Sequence, residues 1–316
     1  RMNMIGKTKI TVIGGGHVGE STTFILAVKE LASEVVMIDV VENMPQGKAL
    51  DMMQAGPILG YDTNIIGSND FKDMQGSDLV IMTAGFPRKP GMSREDLIGQ
   101  NAPIMKGVAE KIKEYAPNSI VIVVSNPLDA MTYMCKKVTG FPDNRIIGQA
   151  GVLDSTRFMA FLGMETGISI KTIQGMTLGS HGDDMVPLSR FSLVGGRPTP
   201  GVVESEKLEA IISRTKKGGG EIVKLLGTSA YWAPAAGTVL MAESILKDKK
   251  MVLPCHAILH GEYGIEGLFV GVPVKLGNNG IEEIIEFDLT DDEKAALKVS
   301  ADHVKEVCEI VDKMGV

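Results

Sequence analysis

A short apolar run, Lys9–Ile13 (KITVI), stops on three consecutive glycines, and a helical pattern takes over from His17 to Leu31. A strand that ends in glycines and turns directly into a helix opens a strand–helix–strand unit. The alternation then continues. Glu34–Ile38, Asn64–Ile66, Leu79–Thr83 and Ile120–Val124 read as further strands, with Pro45–Gln54 as a helix among them and Arg145–Ile147 as the start of a sixth strand. These runs are apolar at consecutive positions instead of every second one. Strands need that when helices cover both faces of their sheet. Strands alternating with helices predict an α/β fold with a parallel, doubly wound sheet and right-handed crossovers.

Beyond about residue 150 the pattern changes. Val152–Gly167 and Ser205–Leu226 read as helices, another begins near Ser229, and strands follow near Val252–Leu259 and Leu268–Leu276 around a turn-prone segment at 260–264. A last helix is expected from Thr290. Thr290 and Glu293 fit a capping box, Asp291 and Asp292 suit the positive end of the helix dipole, and Leu297, Val304, Cys308 and Val311 fall on one face. Helices mixed with antiparallel strands make this half α+β. A chain of 316 residues suits two domains, and the change of pattern divides it into 1–149 and 150–316.

Several classes of function fall away on composition. The net charge of -7 leaves no basic surplus to neutralise nucleic-acid phosphates or anionic lipid, so neither nucleic acid nor membrane is expected as a partner. No apolar stretch is long enough for a membrane span, and the N-terminus shows no signal-peptide pattern. Cys135, Cys255 and Cys308 are odd in number, far apart and without a CxxC, which fits a reducing cytoplasm better than a disulfide framework. The histidines and cysteines show no zinc spacing, so no metal is expected, and the absence of GxSxG argues against an α/β-hydrolase.

The glycines sit in Gly14-Gly15-Gly16-His17-Val18-Gly19, a GxGxxG pattern in its required setting between strand and helix. Gly14 permits the tight turn, Gly16 lets a pyrophosphate approach the backbone, and Gly19 allows close packing of helix on strand. Free N–H groups at the helix start attract the phosphates. Asp39 ends the second strand, where a carboxylate accepts hydrogen bonds from the ribose hydroxyls and repels a 2′-phosphate; this favours NAD over NADP. The plain alternative is a glycine turn and an unrelated aspartate. His17 reads as a variable position of the loop, not as a base.

Four further blocks carry candidate chemistry, and the first two lie where ligands are expected, at the carboxyl ends of the fourth and fifth strands. The basic loop from Gly85 to Arg94 carries Arg88 and Arg94; by itself it also reads as a solvated turn. Ser125-Asn126-Pro127 follows the fifth strand and offers an amide suited to a carboxamide or a hydroxyl, or simply a turn. Asp154 and Arg157 stand three apart on a helix. They form either an exposed ion pair of small value or a divergent pair, with Asp154 orienting a histidine and Arg157 gripping a carboxylate. In Gly179-Ser180-His181-Gly182, flanking glycines leave the imidazole accessible for proton exchange near neutral pH.

Taken in order, GGGHVG, MIDV, AGFPRKPGMSRED, VSNPLDAMTY, GQAGVLDSTRF and GSHGDDMVP resemble the lactate/malate dehydrogenase superfamily, and most closely its lactate-dehydrogenase-like malate dehydrogenases. The resemblance extends through KGGGEIV and GTSAYWAPAA to nearly the whole chain. It implies a Rossmann domain followed by a catalytic domain, with NAD as cofactor. It implies His181 as proton acceptor, Asp154 as its partner, Arg157 on the substrate's C1 carboxylate and Arg94 polarising the reacting carbonyl. Asn126 would then lie near both nicotinamide and substrate, Asn101 and Val124 would contact NAD along with the glycine loop, and Ser229 would line the substrate pocket. Arg88 falls where related lactate enzymes carry an uncharged residue. An arginine there implies a dicarboxylate, malate or oxaloacetate, since pyruvate would leave a desolvated guanidinium unpaired. A lactate or broad 2-hydroxyacid dehydrogenase is the alternative. The resemblance also implies a loop that closes over substrate, a homotetramer before a homodimer, and a place in the tricarboxylic acid cycle.

Overall fold

The computed structural model describes residues 8–87 and 92–315. The first half contains β1 (Lys9–Ile13), α1 (His17–Val28), β2 (Glu34–Ile38), α2 (Met44–Leu59), β3 (Asn64–Ser68), β4 (Leu79–Met82), α3 (Arg94–Tyr115), β5 (Ile120–Val123), α4 (Leu128–Thr139) and β6 (Ile146–Gly148). All five pairings among these strands are parallel. Within each strand, neighbouring side chains go to opposite layers. Ile10, Val12, Leu79, Ile81 and Ile122 join one apolar core, while Ile13, Val80, Met82, Val121 and Val123 join the other. That division is why the strands are apolar throughout. Helices α3 and α4 supply Ile98, Met105, Met131 and Met134 to the second core, and α1 supplies Leu26 to the first.

The second half begins with α5 (Gly151–Thr166), followed by five two-residue strands: β7 (Ile173–Gln174), β8 (Thr177–Leu178), β9 (Val186–Pro187), β10 (Leu193–Val194) and β11 (Arg197–Pro198). Then come α6 (Ser205–Leu226), α7 (Trp232–Leu246), β12 (Met251–His260), β13 (Glu266–Gly277), β14 (Gly280–Ile284) and α8 (Asp291–Lys313). Strands β12, β13 and β14 pair antiparallel. The capping box at Thr290 is present in both directions, and Leu297, Val304, Cys308 and Val311 are all buried.

Boundaries differ from the sequence reading in a few places. Helix α1 ends at Val28 instead of Leu31, α2 runs from Met44 to Leu59, and β6 starts at Ile146. The helix expected near Ser229 starts at Trp232, so Ser229 stands in the half-buried connection before it. The larger surprise is how the halves join. His256 of β12 pairs antiparallel with Gly148 of β6, so one sheet of nine strands runs across both halves in the order β14-β13-β12-β6-β5-β4-β1-β2-β3. No helix among the described residues is long and apolar enough to cross a membrane.

Candidate active site

The carboxyl ends of the parallel strands carry the first half of the site. Each glycine of the loop after β1 has a distinct environment. Gly14 has φ of +104°, and a Cβ on it would lie 2.7 Å from the Ala84 nitrogen. A Cβ on Gly19 would lie 1.8 Å from the Gly14 carbonyl oxygen, so α1 could not sit this close to β1 with any other residue there. A Cβ on Gly16 would meet nothing within 4 Å, leaving its backbone open to a ligand. Asp39 folds back on this loop. Its Oδ2 accepts from the Gly15 N–H at 2.6 Å and its Oδ1 from the Val41 N–H at 2.9 Å, which fixes the carboxylate beside the loop. These residues fit a dinucleotide: an open backbone at a helix start for the pyrophosphate, and a fixed carboxylate for a ribose. Val18 is half-buried against a core. His17 is exposed, and its ring stacks on Tyr231, 4.9 Å between centroids, which ties the loop to the residue before α7.

After β4 and β5 the chain is braced by one buried amide. Asn101 of α3 is 1 % exposed. Its Oδ1 accepts from the Phe86 N–H at 2.8 Å, and its Nδ2 donates to the Phe86 carbonyl at 3.0 Å and to the Asn126 carbonyl at 2.6 Å. Both amide hydrogens are therefore used to hold the base of the basic loop against the turn at Asn126. Asn126 is exposed beyond β5, ahead of a cis bond to Pro127, and Val124 is buried just before it. Arg94 is the first residue of α3, behind a reciprocal capping box of Ser93 and Asp96. Arg88 lies outside the described residues.

The second half of the site forms around α5. Asp154 is 1 % exposed and serves two partners. Its Oδ2 lies 2.9 Å from His181 Nδ1, and its Oδ1 accepts from Arg157 Nη1 at 3.0 Å. The sequence left a choice between an exposed Asp–Arg pair and a divergent one. The structure corrects both: Asp154 is buried and Arg157 half-buried, and the same carboxylate still orients the histidine. Helical spacing puts Arg157 one turn from Asp154, and the two acceptor oxygens of the carboxylate let it bond both partners. Arg157 has room because α6 is glycine-rich where it passes. A Cβ on Gly218 would lie 3.1 Å from Arg157 Cδ, and one on Gly219 3.5 Å from Nη2. Arg157 Nε is buried without a hydrogen-bond partner among the described residues.

His181 is delivered by the segment after β8. Gly179 bridges to Gly271 of β13, and the Ser180 N–H donates to Ser300 Oγ of α8 at 2.7 Å. With Nδ1 on Asp154, Nε2 is left for proton exchange, and 17 % of the side chain remains exposed. Burial pushes the imidazolium towards losing its proton. The charge and hydrogen bond of Asp154 outweigh burial and hold the His181 pKa above the ordinary histidine value, against the opposing charge of Arg157 and with help from Asp129. A half-buried imidazole, a buried carboxylate and a guanidinium with spare donors can hold a carboxylate-bearing ligand beside a base.

Sequence reasoning missed Asp129, His256, Ser300 and Tyr231. For Asp129 and His256 the available signal was an ionisable residue inside an otherwise apolar run, as in LDAM and PCHAIL; Ser300 and Tyr231 carried none.

Residues 8–148 match the NAD-binding domain of the lactate/malate dehydrogenase family, and residues 151–314 match its alpha/beta C-terminal domain. A malate dehydrogenase of Bacillus israeli is 54% identical over 306 residues, spanning 96% of this chain and 98% of that protein. Among solved structures, malate dehydrogenase from Salinibacter ruber superposes with a TM-score of 0.93 at 48% identity, covering 97% of this chain and 98% of that one. Lactate dehydrogenase from Cryptosporidium parvum, solved with lactic acid and nicotinamide adenine dinucleotide, superposes with a TM-score of 0.94 at 41% identity, covering 98% and 99%. With an open-backed glycine loop, a carboxylate fixed beside it and an Arg157–Asp154–His181 chain centred on a buried aspartate, this protein belongs to the lactate/malate dehydrogenase family and binds NAD.

Proposed function

We propose that the chain catalyses the reversible, NAD-dependent oxidation of (S)-malate to oxaloacetate. The observation that carries the reading is the Arg157–Asp154–His181 chain, joined to an arginine at position 88 of the sequence. The malate dehydrogenase names of the Bacillus and Salinibacter relatives support it. In this reading Gly14, Gly15, Gly16, His17, Val18 and Gly19 cradle the pyrophosphate, Asp39 takes the ribose, and Asn101, Val124 and Asn126 shape the nicotinamide end. The bound NAD supplies the hydride acceptor. Arg157 grips the C1 carboxylate through the donors that Asp154 leaves free, and Arg88 takes the C4 carboxylate. Arg94 polarises the carbonyl oxygen at C2, and Ser229 borders the pocket. His181 Nε2 takes the C2 hydroxyl proton, while Asp154 fixes the Nδ1–H tautomer and stabilises the imidazolium. In the reverse direction protonated His181 returns that proton.

Matched assays of NADH oxidation with oxaloacetate and with pyruvate test the substrate. Oxaloacetate is expected to win in kcat/KM by about a thousandfold or more. Comparable rates with pyruvate would instead support a lactate or broad 2-hydroxyacid dehydrogenase, the reading favoured by the close superposition of the Cryptosporidium lactate enzyme. The same assays carry a pH signature. Malate oxidation needs neutral His181 and rises as pH passes its raised pKa. Oxaloacetate reduction needs the protonated form and falls through the same step.

The glycines of α6 give a second test. Gly218→Val puts methyl groups where the Arg157 side chain lies. It is expected to raise the KM for oxaloacetate about tenfold or more while leaving the NADH Kd near its starting value. An unchanged KM would remove Arg157 from the carboxylate site.

The same reading extends to a division of labour at 149/150, a homotetramer with a homodimer as the alternative, and a cytoplasmic place in the tricarboxylic acid cycle. Exposed apolar side chains on and near α2 (Val40, Leu50, Ile58 and Leu59) support an association surface. Buried, unpaired Cys135, Cys255 and Cys308 suit a reducing compartment.

A further inference from the structure

Behind His181 lies another acid–histidine pair that the reaction scheme does not use. Asp129, in the first turn of α4, is 8 % exposed, and its Oδ1 lies 2.8 Å from Nε2 of His256, which is 1 % exposed on β12. The same oxygen accepts, at a long 3.4 Å, from the backbone N–H of His181. The His256 ring fills a slot kept open by two glycines. A Cβ on Gly148 would lie 2.7 Å from the His256 Cβ, and one on Gly271 3.1 Å from its Cε1. Nδ1 of His256 is buried with no hydrogen-bond partner among the described residues.

That orphan nitrogen argues for the charge state. An imidazolium would bury a Nδ1–H donor with nothing to receive it, beside a carboxylate that can satisfy only Nε2. A neutral ring with its proton on Nε2 leaves only a bare lone pair there, which costs less. The His256 ring then donates to Asp129 without cancelling its charge. The N-terminus of α4 and the His181 N–H favour the same anion. Burial opposes ionisation of Asp129, but the hydrogen bond from His256 and the contribution of His181 hold its pKa below the usual carboxylate value.

We propose that Asp129 and His256 are positioning residues for His181: a buried pair that anchors the His181 backbone and keeps a fixed negative charge behind its imidazole. The inference rests on His181 being the proton carrier of the proposed reaction. Among the described residues, the charged groups facing His181 are Asp154 and Arg157 from α5 and Asp129 from α4. Among the described residues, the titratable groups facing Asp129 are His256 from β12, His181, and Cys308 from α8, whose thiol burial pushes up to about 12 and so leaves neutral.

The test replaces Asp129 by asparagine, which keeps shape and removes charge, and follows His181 in two ways. One is the pH profile of kcat/KM for malate and oxaloacetate. The other is the rate at which diethyl pyrocarbonate modifies His181, read by peptide mass against pH, which needs no turnover. Asp129→Asn is expected to lower the His181 step by about half a pH unit or more in both measurements. Oxaloacetate reduction should fall about threefold on the alkaline side while changing little on the acid side. His256→Leu, which strips the carboxylate of its donor, should move the step the same way, and His256→Gln, which keeps a donor, should restore it. The His256 pair carries the test if Asp129→Asn does not fold. A loss of activity uniform across pH with an unmoved step would overturn the proposal and leave a structural tie only. If the unsubstituted protein fails to act on oxaloacetate, it is the proposed reaction that falls, and the modification rates still decide the role of Asp129.

Discussion

Replacing His181 by asparagine is expected to lower kcat in both directions by about a thousandfold, within the range that positioned acid–base groups supply. The expectation follows from the division of the imidazole between two tasks. Nδ1 is held 2.9 Å from a carboxylate that is itself 1 % exposed, so only Nε2 is left to meet the substrate. Asparagine can still bond Asp154, so the packing of the site should survive, but its amide cannot carry a proton between substrate and solvent. NADH affinity, measured by fluorescence titration, should stay within about twofold, because the glycine loop and Asp39 hold the dinucleotide without His181. Stopped-flow measurement of the hydride step would separate chemistry from product release. A variant that turns over at near-normal rate would remove His181 from the reaction.

Arg88→Gln is expected to give the largest change of specificity. Its basis is the chemistry of the residue, since position 88 lies outside the described residues. A guanidinium facing a substrate carboxylate in a site that excludes water gains a charge-assisted, two-pronged contact. The same group facing the methyl of pyruvate is left desolvated and unpaired, at a cost of several kcal/mol. Removing the charge takes away the first effect and relieves the second. The ratio of kcat/KM for oxaloacetate over pyruvate should therefore fall by about a thousandfold or more, chiefly through the oxaloacetate term. If that ratio stays where it was, the second carboxylate is read elsewhere, and Arg94 becomes the next residue to replace.

The parallel strands were legible because their constraint is local. A strand covered on both faces must be apolar at nearly every position; β2, β4 and β5 satisfy that over consecutive residues, and β1 departs from it inside the strand at Thr11, whose buried hydroxyl pairs with Ser77. The glycine loop was legible in part for a similar reason, since Gly19 is excluded from bearing a Cβ by the Gly14 carbonyl of the same loop, whereas the Ala84 backbone that crowds Gly14 comes from the distant turn after β4. Helix α8 announced itself through a cap, a charged first turn and one buried face. What stayed hidden depends on contacts between distant parts of the chain. Nothing near Asp129 in the sequence says that it meets His256, 127 positions later. Nor does helical spacing tell whether Asp154 chooses His181 or Arg157, and the buried geometry lets it serve both. The glycines at 218–219 read only as permission for close helix packing. The structure adds what they make room for, the stem of Arg157.

The pairing of His256 with Gly148 also bears on how this chain can be cut. The two family domains meet between residues 148 and 151, which invites expression of either half alone. A cut there would strip β6 of its antiparallel neighbour and β12 of its parallel-sheet side. Each fragment would carry a raw sheet edge with unpaired N–H and C=O groups, the kind of surface on which chains aggregate. The seam that is visible in the sequence is therefore no place to divide the protein: the halves differ in pattern, but they share one fabric.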